Sequence, residues 1–93
     1  MAEDESNVIF VGKKPALSYV LACVTQFNSG KKQVVIKARG RTISHAVDVA
    51  EIVRNKFVTD TTVQNVSIGT DEITGDNGEK LSVSTIEITL AKK

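Results

Sequence analysis

Basic side chains dominate one continuous stretch of this 93-residue chain, and they are the groups best suited to bind a ligand. Residues 13–47 contain lysines and arginines but no aspartate or glutamate, although the whole chain has a formal net charge of only +1. The basic residues are Lys13, Lys14, Lys31, Lys32, Lys37, Arg39 and Arg41. This asymmetry favours a polyanionic partner, because each neutralised phosphate releases condensed counterions. Charge alone leaves open the alternative of a solvated face that binds nothing.

Residue types that support catalysis are scarce. His45 is the only histidine and Cys23 the only thiol, so one chain cannot assemble a Cys/His-rich zinc site or a site that needs several histidines. No G-x-S-x-G motif supports a serine nucleophile. We therefore predict that the chain is not an enzyme and uses no metal or cofactor. We expect Cys23 to be a core residue, and His45 to face solvent or phosphate from the first turn of a helix.

Apolar patterning predicts the elements that would position the basic residues. Continuous apolar or β-branched runs predict strands, and apolar residues at helical spacing predict two helices, in the order β-α-β-α-β-β. We expect the strands at residues 8–11, 34–38, 63–70 and 82–90, and the helices at about 15–28 and from Thr42 or Ser44 to about 56. The first two strands are expected to be buried on both faces. The segment Gly75-Asp76-Asn77-Gly78 predicts the tip of a long hairpin between the last two strands.

This order of elements favours an α/β fold, a two-layer sandwich in which two helices cover one face of a mixed four-stranded sheet. A single domain over residues 1–93 is expected, with residues 1–6 disordered. No apolar run approaches the ~20 residues of a membrane helix, and the acidic first residues do not resemble a signal peptide. We expect a cytoplasmic protein. The small core that such a chain can form makes self-association plausible.

Each predicted helix has an apolar stripe. The first stripe is Leu17, Val20, Leu21, Val24 and Phe27, and the second is Ile43, Ala46, Val47, Ala50, Val53 and Phe57. Val49 and Ile52 lie off the second stripe. This excess apolar surface either faces a partner subunit or indicates a helix buried more deeply in its own domain.

Two basic clusters occupy equivalent positions in the predicted fold, each following a strand and preceding a helix. The first cluster is Lys13 and Lys14, and the second is Lys37, Arg39 and Arg41. If the first two strands are parallel, both corners lie at the carboxyl ends of the strands, where helix N-termini add partial positive charge and free N–H groups. Gly40 would let the backbone approach a phosphate closely, and guanidinium groups match phosphate geometry. The pattern predicts one merged anion site.

Several segments closely resemble the Alba family of archaeal chromatin proteins, and the resemblance covers nearly the whole chain. The segments are Asn7-Val8-Ile9-Phe10-Val11-Gly12-Lys13-Lys14-Pro15, Val35-Ile36-Lys37-Ala38-Arg39-Gly40-Arg41, Ala46-Val47-Asp48, Glu51-Ile52-Val53-Arg54-Asn55-Lys56-Phe57 and Ser84-Thr85-Ile86-Glu87-Ile88. The resemblance implies a homodimer that coats and condenses double-stranded DNA, largely without sequence preference, and that also binds RNA. It implies no catalysis, and it places the protein on the chromosome.

Family roles can be carried over by position. The resemblance implies that the basic body just described binds phosphate, with Asn7 beside it. His45 occupies a position suited to a basic residue, so its protonation in mild acid would strengthen binding. The lysine pair is associated in the family with acetylation, which would make Lys13 a modification site and acetylating and deacetylating enzymes partners. Phe57 matches an aromatic residue that contacts neighbouring dimers on DNA.

The chain departs from the family pattern in its charge. Its sequence pI is about 7.9, whereas family members tend to be strongly basic. The resemblance implies that the hairpin lies along the minor groove with basic side chains. Here that region contains a single basic residue, Lys80, and four acidic residues: Asp71, Glu72, Asp76 and Glu79. We expect the body to bind DNA while the hairpin contributes little. An RNA-binding module of a ribonucleoprotein and a locus-selective DNA-binding regulator are the alternative functions.

Overall fold

The computed structural model describes residues 7–93, so the prediction for residues 1–6 lies outside the described residues. The elements are β1 (Val8–Phe10), α1 (Ala16–Asn28), β2 (Gln33–Arg39), α2 (Ile43–Ile52), β3 (Thr61–Thr74) and β4 (Lys80–Lys92). A 3₁₀ turn at Gly40–Thr42 precedes α2, and a π-helical segment at Val53–Phe57 continues it. The predicted order of strands and helices is confirmed, with β3 and β4 longer than the sequence indicated.

The four strands form one mixed sheet in the order β1-β2-β4-β3. β1 and β2 are parallel, and β4 is antiparallel to both β2 and β3. The core lies between one face of the sheet and the helices, as the two-layer prediction requires. Fully buried side chains of this core include Val34, Ile36 and Leu90 from the sheet and Val20 and Val53 from the helical layer. In the described chain no helix covers the opposite face of the sheet, on which Val35 and Ala91 are nevertheless buried, and we call it the open face.

The open face overturns one prediction about β1. The sequence predicted a strand buried on both faces, but Phe10 is 73% exposed. β1 lies at the edge of the sheet, and Ile9 packs against the core while Phe10 points to the open face. A short apolar run does not distinguish a strand covered on both faces from an edge strand whose outer face remains uncovered.

The predicted stripe on α1 was wrong in part. Val20, Cys23 and Phe27 are buried, but Leu17 and Leu21 are about half exposed at 53% and 50%. Leu17 and Leu21 therefore lie on the outer side of the helix.

The stripe on α2 also needs correction. Val49, which the sequence placed off the stripe, is completely buried, and Ile52 packs against the core. Val47, which the sequence placed in the stripe, is exposed. Of the two alternatives for the excess apolar surface, deeper burial in the domain therefore holds for Val49 and Ile52. Val47 supplies the apolar surface that α2 leaves uncovered.

The last two strands form the long hairpin that the sequence predicted. Its tip is closed by the Gly75 amide, which donates to the Glu79 carbonyl at 2.8 Å, and Gly78 adopts a φ of +80°. The carboxylates of the hairpin are distributed along its exposed length. Within residues 7–93, no helix is long and apolar enough to cross a membrane.

Candidate nucleic-acid interface

The two strand-to-helix corners lie side by side and are joined by a hydrogen bond. β1 and β2 are parallel neighbours, so the loop after β1 and the turn after β2 leave the same end of the sheet. His45, in the first turn of α2, places its Nε2 atom 2.7 Å from the carbonyl oxygen of Lys14. The loop that carries the lysine pair is thus attached to the helix that follows the arginine turn.

The backbone of Lys14 is held from both sides. Its amide donates to the Tyr19 hydroxyl at 3.1 Å, and its carbonyl accepts from the His45 ring. The two aromatic rings meet edge to face, with centroids 6.0 Å apart. Because the backbone is fixed in this way, the exposed side chains of Lys13 and Lys14 project from a defined position.

This geometry changes the interpretation of two residues. His45 was expected to face solvent or phosphate, but the ring is half-buried and its Nε2 atom contacts the lysine loop. A neutral ring must carry its proton on Nε2 to donate to the carbonyl oxygen of Lys14. Sequence analysis missed Tyr19, whose position beside the predicted apolar stripe was the available signal, because a half-buried tyrosine hydroxyl usually has a polar partner.

The second corner is a tight turn. Gly40 adopts a φ of +62°, a left-handed conformation that a residue with a Cβ atom adopts only with strain. The Thr42 hydroxyl donates to the Arg39 carbonyl at 2.9 Å, which closes the turn ahead of α2. The Arg41 side chain is exposed at this corner. The turn brings a guanidinium group and the N-terminus of α2 to the same place.

Lys37 and Arg39 do not occupy the corner loop that the sequence predicted. Both lie within β2, on the open face of the sheet, and each is paired with a carboxylate. The Lys37 ammonium is 3.7 Å from Glu87, and the Arg39 guanidinium is 3.9 Å from Asp71. The acid-free stretch of sequence is therefore not free of acids in space, because β3 and β4 bring carboxylates to it.

Lys13, Lys14 and Arg41 differ from that pair. All three side chains are exposed, and none forms an ion pair in the part of the chain that the structure describes. These three cations at the joined corners are therefore available to an anion without first breaking an internal pair. We call Lys13, Lys14 and Arg41, together with the turn at Gly40, the basic end.

Asn7 is not brought to the basic end. Its Nδ2 atom donates to the Gln33 carbonyl at 3.4 Å, at the start of β1 and β2. The basic end lies at the other end of these strands, and Gln33 and Arg39 are separated by about 20 Å at 3.3 Å per residue. Asn7 therefore precedes β1 whereas Lys13 and Lys14 follow it, and its contribution beside the phosphate-binding body stays a prediction.

A groove of about 560 Å³ crosses the open face of the sheet. Phe10, Lys37 and Glu87 form one row across three neighbouring strands, and Arg39 and Asp71 lie at one side of it. The Lys37 ammonium lies 5.9 Å from the centre of the Phe10 ring. Each basic side chain of the groove faces a carboxylate, so the groove has mixed charge.

A second, apolar groove of about 220 Å³ lies between α2 and the sheet. Its lining includes Val47, Val63, Val66 and Ile88. Ile68, two residues beyond Val66 on β3, is 81% exposed. The helices do not reach over β3, so the apolar residues on its helix-side face remain in contact with solvent.

The remaining predicted residues lie outside both grooves. Phe57 is partly exposed at the end of the π-helical segment. Cys23 is completely buried, as predicted, and burial raises the pKa of its thiol to about 12. Among residues 7–93, no cluster of histidine, cysteine and carboxylate side chains is arranged to hold a metal ion.

The fold and the basic end define the class of protein to which the chain belongs. It is a two-layer α/β domain with a long hairpin and a cationic edge at the carboxyl ends of two parallel strands. The Alba family model matches residues 7–70. The chain belongs to the Alba family, which confirms the resemblance noted in the sequence.

Relatives and solved structures agree with this assignment. The DNA/RNA-binding protein Alba of Methanocella arvoryzae is 58% identical over 88 residues, which cover 95% of this chain and 92% of the relative. DNA/RNA-binding protein Alba 1 of Archaeoglobus fulgidus is 58% identical over 87 residues, covering 94% and 97%. The structure of Alba from Thermoplasma volcanium matches with a TM-score of 0.87 and 53% identity, over 91% of this chain and 99% of that one.

Proposed function

We propose that this protein is an architectural chromatin protein that binds double-stranded DNA through its phosphates, largely independently of sequence, and that also binds RNA. The observation that carries the proposal is the hydrogen bond between His45 and Lys14, which joins two cationic corners into one end. Relatives that share more than half of its residues are named DNA/RNA-binding proteins. The protein would accordingly be associated with the chromosome in the cytoplasm.

Phosphate binding at the basic end follows from its chemistry. Lysine ammonium groups are mobile point charges, whereas a guanidinium group can donate two parallel hydrogen bonds to a phosphate. The N-terminus of α2 adds backbone N–H groups and partial positive charge to Arg41. Such contacts fix a protein on the backbone and carry no information about base sequence.

Lys37 and Arg39 would join the phosphate contacts only by exchanging a carboxylate for a phosphate. Both pairs are partly exposed, and pairs of this kind contribute about 0–1 kcal/mol. The exchange is thus feasible, but each cation contributes less than a free one would. Asn7 is not part of this proposal, because it lies at the opposite end of the strands.

A homodimer is the proposed functional unit, with the apolar groove between α2 and β3 as its interface. Val66 and Ile68 are solvent-exposed apolar side chains on a strand that this chain leaves half covered. A second copy that places the same face there would bury them in a two-fold interface. Two basic ends on one dimer would then contact the same duplex.

Val66→Glu should convert the dimer to a monomer in sedimentation analysis, whereas Leu21→Glu, on the outer side of α1, should not.

Two further roles are proposed by position. Lys13 is exposed at the basic end, so its acetylation would remove one of the free charges, and acetylating and deacetylating enzymes would be partners. Phe57, partly exposed beside the end of α2, is proposed to contact the neighbouring dimer on DNA. Loss of cooperativity in Phe57→Ala, with unchanged affinity for a duplex that holds one dimer, would support this role.

A charge-matched pair of double variants tests the central proposal. Lys14→Ala/Arg41→Ala removes two charges from the basic end, and Lys32→Ala/Lys93→Ala removes two from the opposite end of the sheet, where β2 begins and β4 ends. Binding to a random 40-base-pair duplex and to a structured RNA is measured across a salt series. The first variant should weaken binding and flatten the salt dependence much more than the second. Equal losses of affinity in the two double variants would refute the proposed site. The ligand that the wild type binds more tightly, duplex DNA or structured RNA, distinguishes a chromatin role from an RNA role.

A further inference from the structure

The groove on the open face of the sheet has a composition unlike that of the basic end. Its aromatic member, Phe10, is 73% exposed, with the Lys37 ammonium 5.9 Å from the centre of its ring. The ring lies on the same row as the Lys37 and Glu87 side chains, which face each other across β2 and β4. An exposed flat ring flanked by hydrogen-bonding groups of both signs is suited to a planar, polar ligand.

The charges in the groove argue against a phosphate as that ligand. Lys37 is paired with Glu87 and Arg39 with Asp71, so the two cations are balanced by two carboxylates. A phosphate entering the groove would meet both negative groups. A nucleobase has no net charge, and its edge carries both N–H donors and carbonyl or ring-nitrogen acceptors. Carboxylates accept from exocyclic amino groups, and lysine and arginine donate to base acceptors.

We propose that this groove binds an unpaired nucleobase of a single-stranded RNA or DNA segment, with the base stacked on Phe10. The proposal rests on the proposed function, because the phosphates of the same strand would be held by Lys13 and Lys14. Phe10 is only three residues before Lys13, so the stacking surface and the lysine loop adjoin. The groove volume of about 560 Å³ is within the ~300–1,000 Å³ range of small-ligand sites.

The proposal gives the open face a function that duplex binding does not need. Bases in a duplex are stacked on each other and cannot lie flat on a protein ring, whereas bases in loops, bulges and single strands can. Stacking on an aromatic side chain is tolerant of sequence, because every base has a π-face. The groove would therefore add affinity for unpaired segments without specifying a sequence.

The first test compares Phe10→Leu with Phe10→Tyr. Because Phe10 is mostly exposed, neither change should lower the melting temperature appreciably. Phe10→Leu should weaken binding to an unstructured 12-nucleotide RNA about tenfold, in keeping with the known loss when a stacking ring is removed. Phe10→Tyr should retain wild-type affinity, and neither variant should alter binding to a 40-base-pair duplex. Equal single-strand affinities for the wild type and Phe10→Leu would overturn the proposal.

The second test detects the base directly. The chain contains no tryptophan, so Phe10→Trp creates a single fluorescent reporter in the groove, and Leu21→Trp, on the outer side of α1, creates a matched reporter outside it. The 12-nucleotide RNA should quench the first reporter and leave the second unchanged, and an abasic oligonucleotide with the same phosphates should quench neither. Quenching by the abasic strand, or a change in the Phe10→Trp emission with protein concentration alone, would instead indicate a phosphate or a second chain in the groove.

The outcomes separate this proposal from the proposed function. Wild-type protein that binds neither duplex nor single strand at low salt would refute both. Wild-type protein that binds both ligands, with no response at position 10, would refute the base site and leave phosphate binding at the basic end intact.

Discussion

The carboxylate of Asp71 restrains one of the cations that should contact DNA, which makes Asp71→Asn an informative perturbation. Asp71 lies 3.9 Å from the Arg39 guanidinium, across the open face of the sheet. The amide keeps the size of the side chain and removes its charge. Because both partners are more than half exposed, the lost pair should cost well under about 1 kcal/mol of stability. The folded structure should therefore be unchanged, while Arg39 becomes free to bind phosphate.

The magnitude follows from the number of free cations. In the proposed dimer, Lys13, Lys14 and Arg41 of both subunits would make about six phosphate contacts, for which the slope of log K against log[salt] is about −5. Releasing Arg39 on both subunits adds about two contacts and steepens the slope to about −7. At about 0.1 M salt, each added contact corresponds to roughly an eightfold gain in affinity by the same relation. This gain is an upper bound, because the wild type can exchange Asp71 for a phosphate at a cost of at most about 1 kcal/mol, so Asp71→Asn should bind a duplex about five- to thirtyfold more tightly.

Fluorescence anisotropy with a labelled random duplex, over about 50 to 400 mM salt, measures both quantities. Asp76→Asn is the matched control, because it makes the same change in charge at the hairpin tip, away from the paired cations. If the reasoning is right, Asp71→Asn steepens the slope and Asp76→Asn raises affinity with a smaller change in slope. Identical slopes for the wild type and Asp71→Asn would refute the view that Asp71 restrains Arg39. Identical effects of Asp71→Asn and Asp76→Asn would mean that both variants act only by removing long-range repulsion between carboxylate and phosphate.

Three further predictions concern the core, the thiol and the lysine loop. Leu90→Ala should lower the free energy of unfolding in urea by about 2–5 kcal/mol, because the side chain is completely buried, whereas Leu17→Ala should cost below about 1 kcal/mol. Cys23 should not react with a disulfide reagent at pH 8 until the protein unfolds. Since burial raises its pKa from 9.0 to about 12, stability should decline as pH rises through that interval, and ready labelling of the native protein would contradict this. His45→Ala should weaken duplex binding by several-fold through loss of the bond to Lys14, and His45→Gln, which can still donate to that carbonyl, should restore it at pH 8.

Local patterns predicted most of the fold. Strands and helices repeat with different periods, and turn residues such as Gly30 and Gly78 adopt the positive φ angles that their type favours, so the order of elements could be predicted from neighbouring residues alone. Which side of a helix faces the sheet was harder to predict. Leu17 and Val47 have the expected spacing and apolar character, yet both are exposed, because the position of the sheet decides which part of a wide stripe is buried.

The site shows the same limit in its charges. Parallel pairing of β1 and β2 could be anticipated, and it brought the two basic corners together as expected. The acidic partners of Lys37 and Arg39 could not be anticipated from the sequence. Glu87 and Asp71 are brought near them by the register of strands that are far apart in sequence. A count of charges along the chain therefore overstates the positive potential of the open face. The mixed charge that results makes the sheet a weak surface for phosphate, and leaves the exposed Phe10 ring as the feature there that a nucleic acid could use.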